Sequence, residues 1–167
     1  TAIGYSTTAP EIYYSFHLGA EWKGIGVDVM FQGTGNYSAV LNTKSMFWPL
    51  INNTTLSTHY YENRWTPENP NAKYPRVIGK SWYESGTGAQ SFWIRNGAYL
   101  RLKNLNVGYN LPKSWISFLN LESAQLFVNG TNLFVLSAMT EFHDPEQDCY
   151  DSYPLMKSFT FGVDIKF

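Results

Sequence analysis

The sequence has 167 residues and a net charge of −1, with 17% aromatic and only 15% charged residues. A near-neutral chain gives no electrostatic reason to bind nucleic acid or an anionic surface. The aromatic content favours a β-rich protein. No run of about 18 apolar residues encodes a transmembrane helix, but alternating strands of a membrane barrel would leave no such run either.

The first predicted element is a β-hairpin formed by residues 11–21 and 25–33. Both segments alternate apolar and polar residues with a period of two, which is the signal of half-buried strands. The residues between them, Trp22, Lys23 and Gly24, fit a tight turn.

Residues 34–90 lose this period and are rich in Pro, Asn and Gly, so we predict a long loop. Its many tryptophans and tyrosines favour an ordered structure over a disordered one. The chain opens at Thr1 without an initiator methionine, and we expect either a processed protein or one piece of a longer polypeptide.

Two further strands are predicted at residues 91–111 and 122–136. In the first, leucines fall on even positions before Lys103 and apolar residues fall on odd positions after Asn104. One extra residue at this point, a β-bulge, would keep all of them on one face of the sheet.

The last predicted strand, residues 156–167, contains "SFTFGVDIKF", with apolar residues at every odd position from Phe159 to Phe167. Chain ends normally fray, so an ordered final strand needs a cover of protein or lipid on its apolar face. We expect this strand to pair with residues 122–136 on one side and with a strand outside this chain on the other.

The five strands are joined by connections that alternate in length. Those at 22–24 and 112–121 are short, and those at 34–90 and 137–155 are long. This asymmetry is typical of outer-membrane barrels, which need at least about eight strands to close. A barrel containing these strands must therefore draw the others from outside this chain.

Four segments in this order resemble the carboxy-terminal part of SusC/RagA-type TonB-dependent outer-membrane transporters. They are "WTPENPNAKYPR" (65–76), "FWIRNGAYLRLKNLNVGYNLP" (92–112), "VNGTNLF" (128–134) and "YPLMKSFTFGVDIKF" (153–167). The resemblance implies an all-β fold, in which residues 1–167 supply the last five or so antiparallel strands of a barrel of about 22 strands. The amino-terminal plug domain of the family has no match here.

The resemblance also implies a function, the energised import of a nutrient across the bacterial outer membrane. The nutrient is most often a glycan or oligosaccharide and sometimes a peptide. The implied partners are a SusD-type surface lipoprotein, the TonB complex acting through the plug, and outer-membrane lipid. No cofactor is implied, and Phe167 resembles the terminal aromatic signal by which such barrels are recognised for assembly.

In this setting the parity of the strands predicts which side chains face lipid. The odd-numbered apolar residues from Phe159 to Ile165, together with Leu105, Val107 and Tyr109, should point outward. The intervening residues, which are Thr160, Gly162, Asp164, Asn106 and Gly108, should point into the lumen. We expect Arg101 and Lys103 to face the lumen as well, in ion pairs with carboxylates of the plug or barrel.

Two candidate ligand sites have ordinary structural alternatives. Loop aromatics could stack on sugar rings, or they could pin the long loop to itself; these are Trp65, Tyr74, Trp82 and Tyr83. An acidic cluster could bind calcium, although a solvated loop is the expected state; it comprises Glu141, Asp144, Glu146, Asp148 and Asp151.

No catalytic motif is recognised, and the histidines lack metal-ligand spacing, so we expect neither an enzyme nor a metal site. The lone Cys149 is expected to be a passive loop thiol. The alternative to a transporter segment is a soluble carbohydrate-binding β-sandwich, which aromatics and alternation alone would also fit.

Overall fold

The computed structural model describes residues 4–41, 55–77, 91–147, 153 and 155–167. In chain order the strands are β1 (Ile12–Trp22), β2 (Ile25–Gly35), β3 (Ser38–Val40), β4 (Ile94–Asn96), β5 (Tyr99–Asn110), β6 (Ser123–Ser137) and β7 (Ser158–Lys166). Among the described residues, the short α-helices are α1 (Thr58–Glu62) and α2 (Lys113–Ile116). Neither of them, nor any other helix within the described ranges, is long and apolar enough to cross a membrane.

The main sheet has five antiparallel strands in the order β1-β2-β5-β6-β7. Each strand pairs with its neighbour over most of its length, as expected of an up-and-down arrangement. On its other edge β7 has no partner among the described residues, and the same holds for β1. The predicted pairing of the last strand with residues 122–136 is thus confirmed, and its pairing with a strand outside this chain stays a prediction.

The first hairpin has a two-residue turn, because Trp22 pairs directly with Ile25. Lys23 and Gly24 both adopt positive φ angles, 49° and 83°. Two successive residues with positive φ give the turn a twist that matches the right-handed twist of the strands. The hairpin predicted from the alternating residues is confirmed.

The β-bulge predicted near Lys103 is also present. Met30 of β2 pairs with Asn104 and Phe31 pairs with Leu102, so Lys103 is the extra residue. The pairing of β5 with β6 also shifts its register at this point. Leu102 and Leu105 therefore lie on one face of the sheet although their sequence parity differs.

The strand predicted at 91–111 is wrong in its first part. Residues Ser91–Trp93 form a 3₁₀ turn, and β4 pairs with β3 in a separate two-stranded sheet. The chain is diverted at Gly97, where a Cβ atom would lie 2.4 Å from the ring of Tyr37. Trp93 is drawn into a buried cluster of loop residues, and this tertiary packing overrides the local alternation.

The main sheet has one apolar and one polar face. Cross-strand register places Val27, Val107, Val128 and Phe161 in one row, and Asp28, Asn106, Asn129 and Thr160 in the next. No element in the described part of the chain covers the apolar face, and Phe161 on it is 75% exposed. The β-sandwich alternative requires a second sheet packed on this face, and among the described residues the only other sheet is the small β3–β4 pair.

Candidate functional site

Most of the buried apolar side chains among the described residues gather in one cluster at one end of the sheet. They come from β3 and the residue after it, α1, the 3₁₀ turn, and the segments after α1 and β6. We call them the loop core: Ala39, Leu41, Tyr60, Tyr74, Trp93 and Met139. Ser57 caps α1 by accepting a hydrogen bond from the Tyr60 backbone N–H. The sequence predicts that residues 34–90 form a long, ordered loop. This cluster holds the described parts of that loop together.

Tyr74 is a central member of the loop core. Its ring stacks on Tyr60, with ring centroids 5.1 Å apart, and on Trp93, with centroids 6.4 Å apart. Its hydroxyl lies 3.0 Å from His59 Nε2. With only 1% of its surface exposed, Tyr74 has no ring face to offer to a sugar. The expected ligand-stacking role is therefore wrong for Tyr74, and the alternative role of pinning the loop describes it.

Trp65 differs from Tyr74 in being 41% exposed. It lines an open cleft of about 670 Å³ on the surface of the loop core, together with Lys73, Arg76 and Phe92. An exposed indole beside two cations offers an apolar face and hydrogen-bond donors to a ligand. The other two aromatic candidates, Trp82 and Tyr83, lie outside the described residues.

Arg101 and Lys103 lie at the loop-core end of β5 and form ion pairs with the segment that follows β6. The Arg101 side chain is 3% exposed and pairs with Asp144. Its Nε atom is 3.1 Å from Glu146 Oε2, a charge contact that does not make a hydrogen bond. Lys103 Nζ lies 2.9 Å from the same Glu146 oxygen, and the Tyr99 hydroxyl donates to Glu146 Oε1 at 2.9 Å.

These contacts tie residues 138–147 to β5 and neutralise two members of the acidic cluster, Asp144 and Glu146. A third member, Glu141, accepts a hydrogen bond from Lys73 at 3.1 Å. This bond holds the pKa of Glu141 below its usual value and raises the pKa of Lys73. Asp148 and Asp151 are not described, and no group of three or more potential ligands that could hold a metal occurs in the described part of the chain.

A second arrangement lies on the polar face near the opposite end of the sheet, around Phe127 of β6. Cross-strand pairing places Phe127 between Gly108 of β5 and Gly162 of β7. Polar residues occupy the rows on either side and line a cleft of about 460 Å³ with it. The alternation places Phe127 on the polar side of β6, but its glycine neighbours come from distant segments, so only the register could reveal them.

No family model matches the chain, but two curated proteins do. TonB-dependent receptor P26 of Formosa agariphila is 27% identical over 183 residues, covering 99% of this chain and 18% of the receptor. TonB-dependent receptor P3 of the same organism is 28% identical over 173 residues, covering 95% of this chain and 16% of the receptor. The chain thus spans less than a fifth of the length of these relatives.

Solved structures give the same result. The RagAB peptide importer in its closed-closed state matches all of this chain and 18% of its own, with a TM-score of 0.74 and 27% identity. Its open-open state matches with a TM-score of 0.71 and 28% identity, again over 100% of this chain. The resemblance to the carboxy-terminal segment of SusC/RagA-type TonB-dependent receptors is confirmed, and with it the all-β fold of a barrel segment.

Proposed function

We propose that this chain forms part of the wall of an outer-membrane transporter that imports a nutrient in a TonB-dependent manner. The observation that carries the proposal is the match to the RagAB peptide importer along 100% of the chain. The chemistry of the sheet supports it independently. A barrel wall must offer lipid one apolar face and water one polar face, and the strands alternate in this way.

In this function the apolar face lies against lipid. Phe159, Phe161 and Val163 of β7 are all exposed on it in the isolated chain. Leaving such a patch in water would destabilise a soluble protein, whereas the hydrocarbon of a membrane solvates it. The polar face, with Arg101 and Lys103 at one end, lines the lumen, where ionisable side chains can remain hydrated or paired.

The orientation proposed for the wall follows from the lengths of its connections. The Lys23–Gly24 turn and the α2 connection at 112–121 lie on the periplasmic side, together with Phe167 as the assembly signal. The loop core and residues 138–147 then lie on the extracellular side. A protease added to intact cells should spare the α2 connection, and cleavage there would reject this orientation.

The partners proposed for the complete transporter are a SusD-type surface lipoprotein on the extracellular side and the TonB complex acting through the plug. The substrate is a glycan or a peptide. RagAB is a peptide importer, whereas an exposed aromatic such as Trp65 suits sugar rings as well as peptide side chains. The proposed ligand contacts in the loops are Trp65 and, in the undescribed part, Trp82 and Tyr83.

Uptake by cells tests the proposal. Two strains would be compared, one that lacks the full-length gene and the parent that carries it. Each would receive a mixture of neutral hexose oligosaccharides or a mixture of peptides of similar mass. Mass spectrometry of the medium would follow which compounds disappear. The proposal expects the parent alone to deplete one mixture, and expects a protonophore to abolish that depletion. Equal depletion by both strains, or depletion that persists with the protonophore, would contradict it.

A further inference from the structure

Residues 138–147, which follow β6, turn toward the polar face of the sheet, and we call this segment the strap. Arg101 of β5 pairs with Gln32 of β2. Gln32 lies on the same face as Asp28, because alternate residues of a strand point to the same side. The Arg101 side chain contacts Asp144 of the strap. The strap is therefore attached to the polar face of the wall and not to its apolar face.

The strap also extends across the wall. Two of its residues, Pro145 and Glu146, border a space of about 400 Å³ together with side chains of the sheet. These side chains come from the neighbouring strands β1, β2 and β5, and they are Tyr13, Thr34 and Tyr99. The strap thus stands over the polar face and does not simply continue the line of β6 away from the sheet.

A compensated charge cluster holds the strap on the wall. Two cations of β5 meet two carboxylates of the strap, and the four residues are Arg101, Lys103, Asp144 and Glu146. The Glu146 side chain is only 12% exposed. Charges that are shielded from water attract each other more strongly than an exposed surface pair. The cluster therefore fixes the strap, whereas a solvated acidic loop would stay free to move.

The other side of the strap is fixed to the loop core. Met139 is fully buried there, and Phe142 packs against the same cluster. Hydrogen bonds close two turns within the strap: the Met139 carbonyl accepts from the Phe142 N–H at 2.9 Å, and the Asp144 carbonyl accepts from the Gln147 N–H at 3.0 Å. The strap is thus a folded segment held between the wall and the loop core.

We infer that the strap is a fixed constriction at the mouth of the pore, which limits the size of the compounds that pass. The inference rests on the proposed transport function, in which the polar face lines the lumen and the loop core is extracellular. A segment held over the lumenal side of the wall narrows the opening. Because it is attached on both sides, it excludes large compounds instead of swinging aside for them. The limit applies to glycans and peptides alike, since it depends on size.

The simpler alternative is that the strap only supplies counter-charges to the wall. Arg101 and Lys103 point toward the proposed lumen, where water would hydrate them if the strap were lifted. The wall therefore does not need the strap for the stability of these two cations. The strap does need the wall, because the cluster supplies the ionic contacts that hold it there.

Carbodiimide cross-linking tests the position of the strap. The reagent joins an amine to a carboxylate as an amide when the two are in contact, and it takes up the released water as it becomes a urea. In native membranes it should join Lys103 to Glu146 of the full-length transporter, whose charged atoms are 2.9 Å apart. Lys73 and Glu141, 3.1 Å apart and exposed, are the positive control. Mass spectrometry of a digest that finds only the control product would overturn the inference, whatever the transporter carries.

Uptake by cells tests the constriction. Cells with the parent, Arg101→Met or Arg64→Met would receive oligosaccharides or peptides of graded length, and mass spectrometry of the medium would record the longest chain that disappears. Arg101→Met releases the strap. Arg64→Met is the matched control, because the Arg64 guanidinium lies over the Tyr61 ring at 3.7 Å, away from the strap. A shift in gel mobility on boiling verifies that each barrel is folded.

A second variant releases the strap without changing the wall. Asp144→Asn combined with Glu146→Gln removes both carboxylates of the cluster and leaves every residue of β5 in place. The strands of the barrel are then those of the parent. This variant keeps the test decisive if Arg101→Met fails to fold.

We expect the parent and Arg64→Met to stop at the same chain length, and both release variants to deplete longer chains as well. A size limit that stays unchanged in folded release variants would overturn the constriction while the transport function stands. A lower limit, or loss of all uptake by these variants, would overturn it too, because the strap would then assist passage instead of restricting it. Depletion of neither mixture by the parent would contradict the transport function itself.

Discussion

The five-stranded sheet and the loop core use similar residues in opposite ways. In the sheet, aromatic side chains such as Phe159 and Phe161 are exposed, and the strands are held by their backbone ladders. In the loop core, Tyr60, Tyr74 and Trp93 are buried against each other. The sheet thus depends on its surroundings for the cover of its apolar face, whereas the loop core carries its own hydrophobic interior.

The largest expected effect is on the loop core. Trp93→Ala removes a side chain that is only 2% exposed, and truncating a buried tryptophan costs about 3 to 5 kcal/mol. Hydrogen exchange should show lost protection in α1 and residues 63–77, while β5 to β7 keep theirs. Trp65→Ala, which truncates an exposed tryptophan in the same region, is the control. Equal loss of protection in the strands would mean that the two regions are one cooperative unit.

A somewhat smaller effect is expected at the junction between the two regions. Arg101→Met leaves the carboxylates of Asp144 and Glu146 without their most buried partner, which costs about 3 kcal/mol. Residues 138–147 should then exchange amide protons faster. Adding Asp144→Asn and Glu146→Gln should restore part of the protection, because the uncompensated charges disappear. A triple variant less protected than Arg101→Met would contradict this account.

The sheet itself is probed by placing a charge on either face. Val163→Arg on the apolar face should cost about 2 to 4 kcal/mol if the residue lies near the middle of the membrane. Asp164→Arg, on the polar face one residue later, should leave folding in lipid vesicles nearly unchanged. Urea unfolding of the full-length barrel measures both. If Asp164→Arg is the more harmful change, the register of β7 relative to lipid is inverted.

The smallest effect concerns the exposed bond between Lys73 and Glu141. The pKa of Glu141 is lowered in the folded loop. Its contribution to the stability of the loop is therefore fully present above the ordinary carboxyl pKa and disappears as the pH falls through the lowered pKa. Lys73→Met should remove this pH dependence from the hydrogen exchange of residues 138–147. Exchange at neutral pH should change only slightly, since exposed ion pairs contribute little. An unchanged pH profile would contradict the assignment.

Sequence patterns predict the sheet far better than the loop core. Alternation located all five long strands, and the change of parity at Lys103 located the bulge, because the period-two signal is carried by residues that are close together within each strand. The loop core joins β3, α1 and Trp93, which are far apart in sequence and carry no periodic signal. For the same reason Arg101 could be predicted to need a carboxylate, but Asp144 and Glu146 could not be singled out among the acidic residues.

The central claim is that the sheet separates lipid from a water-filled lumen, and cysteine scanning along β7 tests it most directly. Each residue from Phe159 to Ile165 is replaced by cysteine in the full-length protein, with Cys149 changed to serine, and the protein is labelled in native membranes. We expect a water-soluble maleimide to label positions 160, 162 and 164, and a lipid-dissolved quencher to reach fluorophores at 159, 161, 163 and 165. Equal labelling at all seven positions, or the inverse alternation, would contradict the account.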